Sequence, residues 1–349
     1  MPLYNKYSKE DCLKRLRAET FERKTVSFYR YVQLEDVNRL RDELYRAWAA
    51  MGVLGRIYVA TEGINAQISV PMPQWDVFVK YLYSFKAFEQ MPFKVAVEDD
   101  ESFWKLAIKV KKQIVADGLP AGEYDITNVG KHLDAESFNE AMEEGATVVD
   151  MRNQYESRIG HFEGAITPDV DTFKEELVQV KEMLKGKENE KVLLYCTGGV
   201  RCEKTSAYLK HHGFKDVNQL HGGIIQYAHE VKQKGLSSKY KGANYVFDGR
   251  TAERITDDVL THCDQCQDTC DQMVNCKNVM CNLLFVQCNG CGEKMSGCCS
   301  ENCKEIIALP IDEQRQLRKR QKPATFEVYR KRVRPNLKDA KPVYEMNQF

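Results

Sequence analysis

The sequence predicts a multidomain chain of mixed α+β and α/β class. A ferredoxin-like (acylphosphatase-like) N-terminal domain precedes a central α/β domain with a parallel sheet, then a cysteine-rich region and a basic tail. Three observations predict it. From about residue 24 to 116, stretches of period 2 and period 3.6 alternate in the order βαββαβ with one further strand, the split-βαβ pattern. From 131 to 236, strands alternate with helices of ten or more residues, the mark of a parallel sheet. After 236 regular periodicity fades, and ten of the thirteen cysteines fall between Cys263 and Cys303. The expected domains are 1–120, 131–236, 237–310 and 311–349, and a 349-residue chain is long enough to bury a core in more than one of them.

Each element has a local cause. "TVSFYRYV" (25–32) is rich in aromatic and β-branched residues and predicts a strand. "LEDVNRLRDELYRAWAAMG" (34–52) places Val37, Leu40, Leu44 and Trp48 at helical spacing and stops at Gly52. "VLGRIYVA" and "INAQISV" flank the turn "TEG" (61–63), a hairpin signal. "PMPQWDVFVKYLYSF" opens on proline and repeats the helical spacing, and "FKVAV" and "FWKLAIKVKKQIV" predict strands. "ADGLPAGEYDITNVG" (116–130) has linker composition. The second alternation runs through helix 134–145, strand 147–151, helix 171–186, strand 191–196, helix 203–213, strand 217–220 and helix 223–235.

The charges balance to zero overall but are segregated: residues 315–341 carry eleven Lys/Arg against Glu327 and Asp339. An acidic body therefore bears a basic tail. No run of eighteen apolar residues exists and the N-terminus lacks a signal-peptide core, so a soluble cytoplasmic protein with no membrane partner is expected. In that setting clustered cysteines argue for metal binding or redox work rather than disulfides.

The stretch "YCTGGVRCEK" (195–204) concentrates the chemistry. Cys196 ends an apolar strand, and a helix follows, so its thiol lies beyond the carboxyl end of a sheet strand, where α/β sites form. Gly198 and Gly199 let the main chain curl with its N–H groups inward, the helix start adds positive potential, and Arg201 adds a full charge. Each favours thiolate over thiol and makes Cys196 a candidate nucleophile rather than a silent buried thiol. Cys202 either sits silently in the first helical turn or exchanges with Cys196.

On these residues the central domain resembles the rhodanese family. "CTGGVR" matches its six-residue active-site loop, "DMRNQYESRIGHFEGAI" (150–166) its upstream signature, and "LHGGIIQYA" (220–228) its downstream Gly-Gly signature. The resemblance implies that Cys196 carries a persulfide or acts as a nucleophile. It also implies that Arg201 and the amides of Thr197, Gly198, Gly199 and Val200 hold an anionic group. Asp150 and Arg152 have a scaffold reading, as a charge pair at a strand end.

The order of the three regions resembles a narrower family, the rhodanese-domain, oxygen-dependent tRNA uridine hydroxylases. "EGINAQISVP" (62–71), "RCEKTSAYLK" (201–210), "NYVFDGR" (244–250), "CNLLFVQC" (281–288) and "GCCSENC" (297–303) extend the likeness over nearly the whole chain. That likeness implies conversion of the wobble uridine in the tRNA anticodon loop to 5-hydroxyuridine, with molecular oxygen as co-substrate. It names no electron donor, and the residues show no two-His-one-carboxylate iron triad and no flavin fingerprint.

The cysteine block runs H-C-x2-C-x3-C-x5-C-x4-C-x6-C-x2-C-x6-C-C-x3-C from His262. Its two C-x-x-C knuckles, Cys263/Cys266 and Cys288/Cys291, are candidate ligands of structural zinc, and the other cysteines suffice for a second site. The spacing leaves the pairing of knuckles open. An iron–sulfur cluster and a metal-free thiol cluster are the alternatives. In the tail, Phe326 and Tyr329 interleave with cations, a pattern suited to RNA and equally to a solvated, disordered segment. Two further functions stay open at this level: sulfur transfer through a Cys196 persulfide, and a non-catalytic metal-stabilised RNA adaptor.

Overall fold

In the computed structural model the described residues are 3–98, 101–120, 122–320, 332–335 and 337. After helix α1 (Lys9–Arg17), the N-terminal domain comprises β1 (Arg23–Tyr31), α2 (Val37–Ala50), β2 (Leu54–Ala60), β3 (Gly63–Pro71), α3 (Trp75–Tyr83), β4 (Lys94–Val95) and β5 (Leu106–Val110). The sheet order is β4-β1-β3-β2-β5, antiparallel except that β5 runs parallel to β2. β4 and β5 are shorter than the apolar runs at 93–97 and 103–115 suggest. Period-2 alternation gives β1 two uses. Val26 and Phe28 pack with Leu44, Trp48 and Phe78 in the core under the helices. Ser27, Tyr29 and Tyr31 alternate with them along the strand.

The central domain follows with β6 (Lys131–Leu133), α4 (Ala135–Glu143), β7 (Thr147–Asp150), α5 (Gln154–Ser157), β8 (Gly160–Phe162) and α6 (Phe173–Met183). It continues through β9 (Lys191–Tyr195), α7 (Val200–His211), β10 (Asp216–Leu220) and α8 (Gly223–Lys234). Its four-stranded sheet is parallel throughout, in the order β6-β10-β9-β7. Val192, Leu193, Leu194 and Tyr195 of β9 are all buried, as a central strand covered on both faces requires. Asp150 and Arg152 form a fully buried ion pair, with Nη2 2.7 Å from Oδ2, that also takes up Tyr195 and Tyr240 and ties the end of β7 to its neighbours.

Past residue 236 the chain is more regular than its composition suggests. β11 (Tyr240–Tyr245) and β12 (Ala252–Arg254) join β8 in a three-stranded sheet, β13 (Met273–Asn275) pairs with β14 (Leu284–Val286), and helices α9 (Asn289–Lys294) and α10 (Glu301–Ala308) follow. Residues Ile311–Lys319, within the stretch expected to be an unstructured tail, form helix α11. Arg334 reaches back to Asp171, 2.6 Å away. Phe326 and Tyr329 lie outside the described residues. Among the described residues no helix is long and apolar enough to cross a membrane.

Candidate active site

Cys196 stands at the carboxyl end of β9, and its residue is wholly buried. The turn after it is tighter than the sequence suggests, because α7 begins at Val200 instead of Glu203. Gly199 is the helix N-cap at φ +94°, a backbone conformation costly for any residue with a Cβ, and its N–H donates to Cys196 Sγ (3.1 Å). Arg201 and Cys202 consequently occupy the first helical turn. The Gly222-Gly223 pair closes against the loop from below: a Cβ on Gly223 would lie 2.5 Å from the Cys196 carbonyl oxygen, while the Ile224 and Ile225 amides donate to the Cys196 and Thr197 carbonyls.

The electrostatics of the loop favour the thiolate. Burial pushes the Cys196 thiol up, but a hydrogen bond from Cys202, the charge of Arg201 and the backbone N–H groups of Arg201 and Cys202 outweigh it and bring the pKa down to about 5. Burial and the adjacent Cys196 thiolate push Cys202 well up, so the pair divides one proton, Cys202 keeping it. The fork of Arg201 is already taken: Nη1 and Nη2 donate to the two carboxylate oxygens of Glu156 at 2.7 and 2.9 Å. Arg201 therefore contributes its charge to the thiolate while Glu156 fixes its position. Glu176 is buried nearby with neither carboxyl oxygen partnered among the described residues, and burial pushes its carboxyl well up.

The N-terminal domain supplies the opposite wall. Tyr29 O–H donates to Glu203 Oε1 (2.8 Å), Tyr31 O–H donates to the Val200 carbonyl (3.0 Å), and Lys204 pairs with Glu62 (3.0 Å) and Asp117 (2.9 Å). The sequence "RCEK" thus serves both domains: Arg201 and Cys202 turn to the thiolate, Glu203 and Lys204 to the docking of β1 and the linker. Between these walls and the segment 245–250 lies a cleft of about 780 Å³ lined by Cys196, Thr197, Gly198, Val200 and Arg201. Ser27, Tyr29 and Lys94 line it from the other side. Sequence reasoning missed these three, since nothing in β1 or β4 marks them apart from ordinary strand residues.

In the cysteine-rich region the two knuckles come together. The sulfurs of Cys263, Cys266, Cys288 and Cys291 lie within 4.8 Å of one another, and those of Cys276, Cys281, Cys299 and Cys303 form a second such group. Tetrahedral coordination with metal–sulfur bonds of about 2.3 Å puts sulfurs about 3.8 Å apart. The Cys266–Cys288, Cys281–Cys299 and Cys299–Cys303 separations of 3.6, 3.6 and 3.8 Å fit that figure. Both groups could hold a metal ion.

Three family profiles match successive stretches of the chain. The profile of the UPF0176 acylphosphatase like domain matches residues 23–114, that of the Rhodanese-like domain 134–230, and that of the Rhodanase C-terminal region 241–304. A tRNA uridine(34) hydroxylase of Leptospira interrogans is 57% identical over 97% of this chain and 93% of its own length. The tRNA uridine(34) hydroxylase of Yersinia pestis (strain Pestoides F) is 49% identical over 90% of each. Among solved structures, a Rhodanese-like domain from Anabaena covers 32% of this chain and 78% of its own, with 22% identity and a TM-score of 0.26.

Proposed function

The chain belongs to the tRNA uridine(34) hydroxylase family, and from that premise we propose that it converts uridine 34 in the anticodon loop of tRNA to 5-hydroxyuridine, with Cys196 as the working residue. The net change replaces the C5–H bond by C5–OH. One atom of dioxygen enters the ring and the other leaves as water, with two electrons and two protons supplied by an external reductant. The observation that carries the assignment to Cys196 is its position: a thiol whose pKa lies near 5 sits at the floor of a cleft whose other wall belongs to a different domain. A thiolate is a strong nucleophile, and C6 of a uracil ring is an electrophilic carbon. Addition there makes C5 electron-rich, the property that attack on an oxygen species demands.

Zinc suits both cysteine groups. Each presents four thiols and no other ligand type, the donor set of a closed structural site with no open position for substrate. Bound zinc would cross-link a region whose own apolar core is small.

The test is the nucleoside content of tRNA from a deletion strain complemented with the wild-type gene or with Cys196→Ala. Loss of 5-hydroxyuridine that only the wild type restores is the expected result. Altered thiolated nucleosides would instead favour sulfur transfer through a Cys196 persulfide, and full rescue by Cys196→Ala would overturn both catalytic readings.

A further inference from the structure

Lys94 is a misfit where it stands. It lies on the two-residue edge strand β4, where a lysine ordinarily extends into water, yet it is only 8% exposed. Its methylene chain runs across the glycines of the central domain: a Cβ on Gly198 would lie 3.9 Å from its Cδ, and one on Gly222 would lie 3.6 Å from its Cε. The ammonium ends 4.3 Å from the centroid of the Tyr29 ring. It forms no ion pair and no hydrogen bond with any described residue, and the charges it feels are those of Cys196 and Glu203. Glu203 is committed elsewhere, since its oxygens accept from Tyr29, His132 and Gln219. A largely buried cation that meets an aromatic face but no anion is costly, and a protein retains one where a ligand completes it.

Other polar groups in the same cleft also lack partners among the described residues. Ser27 Oγ and Thr197 Oγ1 are buried, make no hydrogen bond with any described residue, and belong to residues lining the cleft with Lys94 and Cys196. A uracil ring offers two carbonyl oxygens and one N–H, a set that two hydroxyls and one ammonium can satisfy.

We infer that Lys94 is a further catalytic residue of the hydroxylation, the cation that receives the negative charge displaced onto uracil O4 when the Cys196 sulfur adds to C6. The inference rests on the reading of Cys196 as the attacking thiolate. In that step the S–C6 bond forms from a thiolate lone pair, and the C5=C6 π pair shifts to make C4 and O4 an enolate. One negative charge leaves sulfur and one appears on oxygen, so no oxidant or reductant is involved. Lys94 donates its N–H to that oxygen. A preorganised donor in a cleft walled by protein stabilises such an oxyanion more than water does. Burial lowers the Lys94 pKa to about 8, against the raising influence of Cys196 and Glu203, so its proton is also available for full transfer.

The test compares the full-length wild type with Lys94→Met and Lys94→Arg in three measurements. The first is 5-hydroxyuridine in tRNA of the complemented deletion strain, at matched protein levels and with folding checked by thermal unfolding. The second is the rate at which purified protein forms a covalent complex with tRNA carrying 5-fluorouridine at position 34, read on a denaturing gel. The third is tRNA affinity. Lys94→Met should slow the covalent step by about 10²- to 10³-fold, the loss typical of one oxyanion donor, with tRNA affinity changed less than about threefold, while Lys94→Arg recovers part of the rate. Covalent and cellular activity at the wild-type level in Lys94→Met would overturn the inference, as would a loss confined to tRNA affinity. A wild type that makes 5-hydroxyuridine but no Cys196-dependent complex would overturn the inference and leave the hydroxylase reading standing. A wild type that makes no 5-hydroxyuridine would overturn that reading itself.

Discussion

Cys196 and Cys202 behave as one acid–base unit, and this makes a sharp prediction at the scale of a residue. The thiolate at 196 is held by the S–H of 202, by amides and by the neighbouring guanidinium, all against desolvation. Alkylation follows the thiolate fraction, so the labelling rate of Cys196 by iodoacetamide should rise with pH around about 5 and level off above it. Cys202→Ala removes the hydrogen bond that heads the favourable contributions, so the midpoint should move upward toward the ordinary thiol value. Peptide mass spectrometry of the Cys196 fragment against pH measures it. An unchanged midpoint would leave the amides and Arg201 as sufficient causes. Much of this was legible in "CTGGVRC", because glycine, arginine and a strand-to-helix turn each have a local signature. The grip of Glu156 on Arg201 was not, since the two are 45 positions apart and only the fold joins them. Lys94, Ser27 and Tyr29 were invisible for the same reason: their significance comes from a surface in another domain.

At the scale of elements, the sequence located helices and central strands where period and length were strong, and failed where other forces set the structure. β11 to β14 are three to six residues each, too short for a periodic signal. Their region has a core of cysteines with a few apolar residues such as Met280, Leu283 and Phe285. The two thiol tetrads therefore set a prediction. Protein purified without oxygen should contain two zinc ions and no iron per chain by elemental analysis. Stripping them with a strong chelator should expose the thiols of Cys276, Cys281, Cys299 and Cys303, all buried, to labelling before the parallel sheet unfolds. Iron with visible absorbance would instead mark a cluster, and thiols that stay protected after chelation would mark a core that needs no metal.

At the scale of the whole molecule, the cleft exists only while the N-terminal and central domains stay in register, and a small number of buried groups hold that register. Lys204, 2% exposed on its side chain, joins Asp117 at 3% and Glu62 at 26%, and its ammonium also donates to the Val115 carbonyl (3.0 Å). Glu62 accepts in turn from the Ile114 amide (2.7 Å), so the β2–β3 turn, the start of the linker and helix α7 meet at one point. Replacing Lys204 by Met leaves Asp117 buried, among the described residues, beside only Gln113, Leu119 and Tyr124 as donors. Breaking a buried pair from one side costs about 3–5 kcal/mol, and the partial exposure of Glu62 places the expected loss near the lower figure. Lys204→Met should therefore lower the denaturant midpoint and open the segment 111–130 to proteolysis. Adding Asp117→Asn should return part of the stability, because no carboxylate then lies stranded. Cellular 5-hydroxyuridine should fall in the single variant even at temperatures where the protein remains folded, since Tyr29 and Lys94 reach Cys196 only across this junction. If Lys204→Met keeps both its protease resistance and its midpoint, the docking of the two domains rests on the tyrosine contacts of β1 and not on this charge cluster.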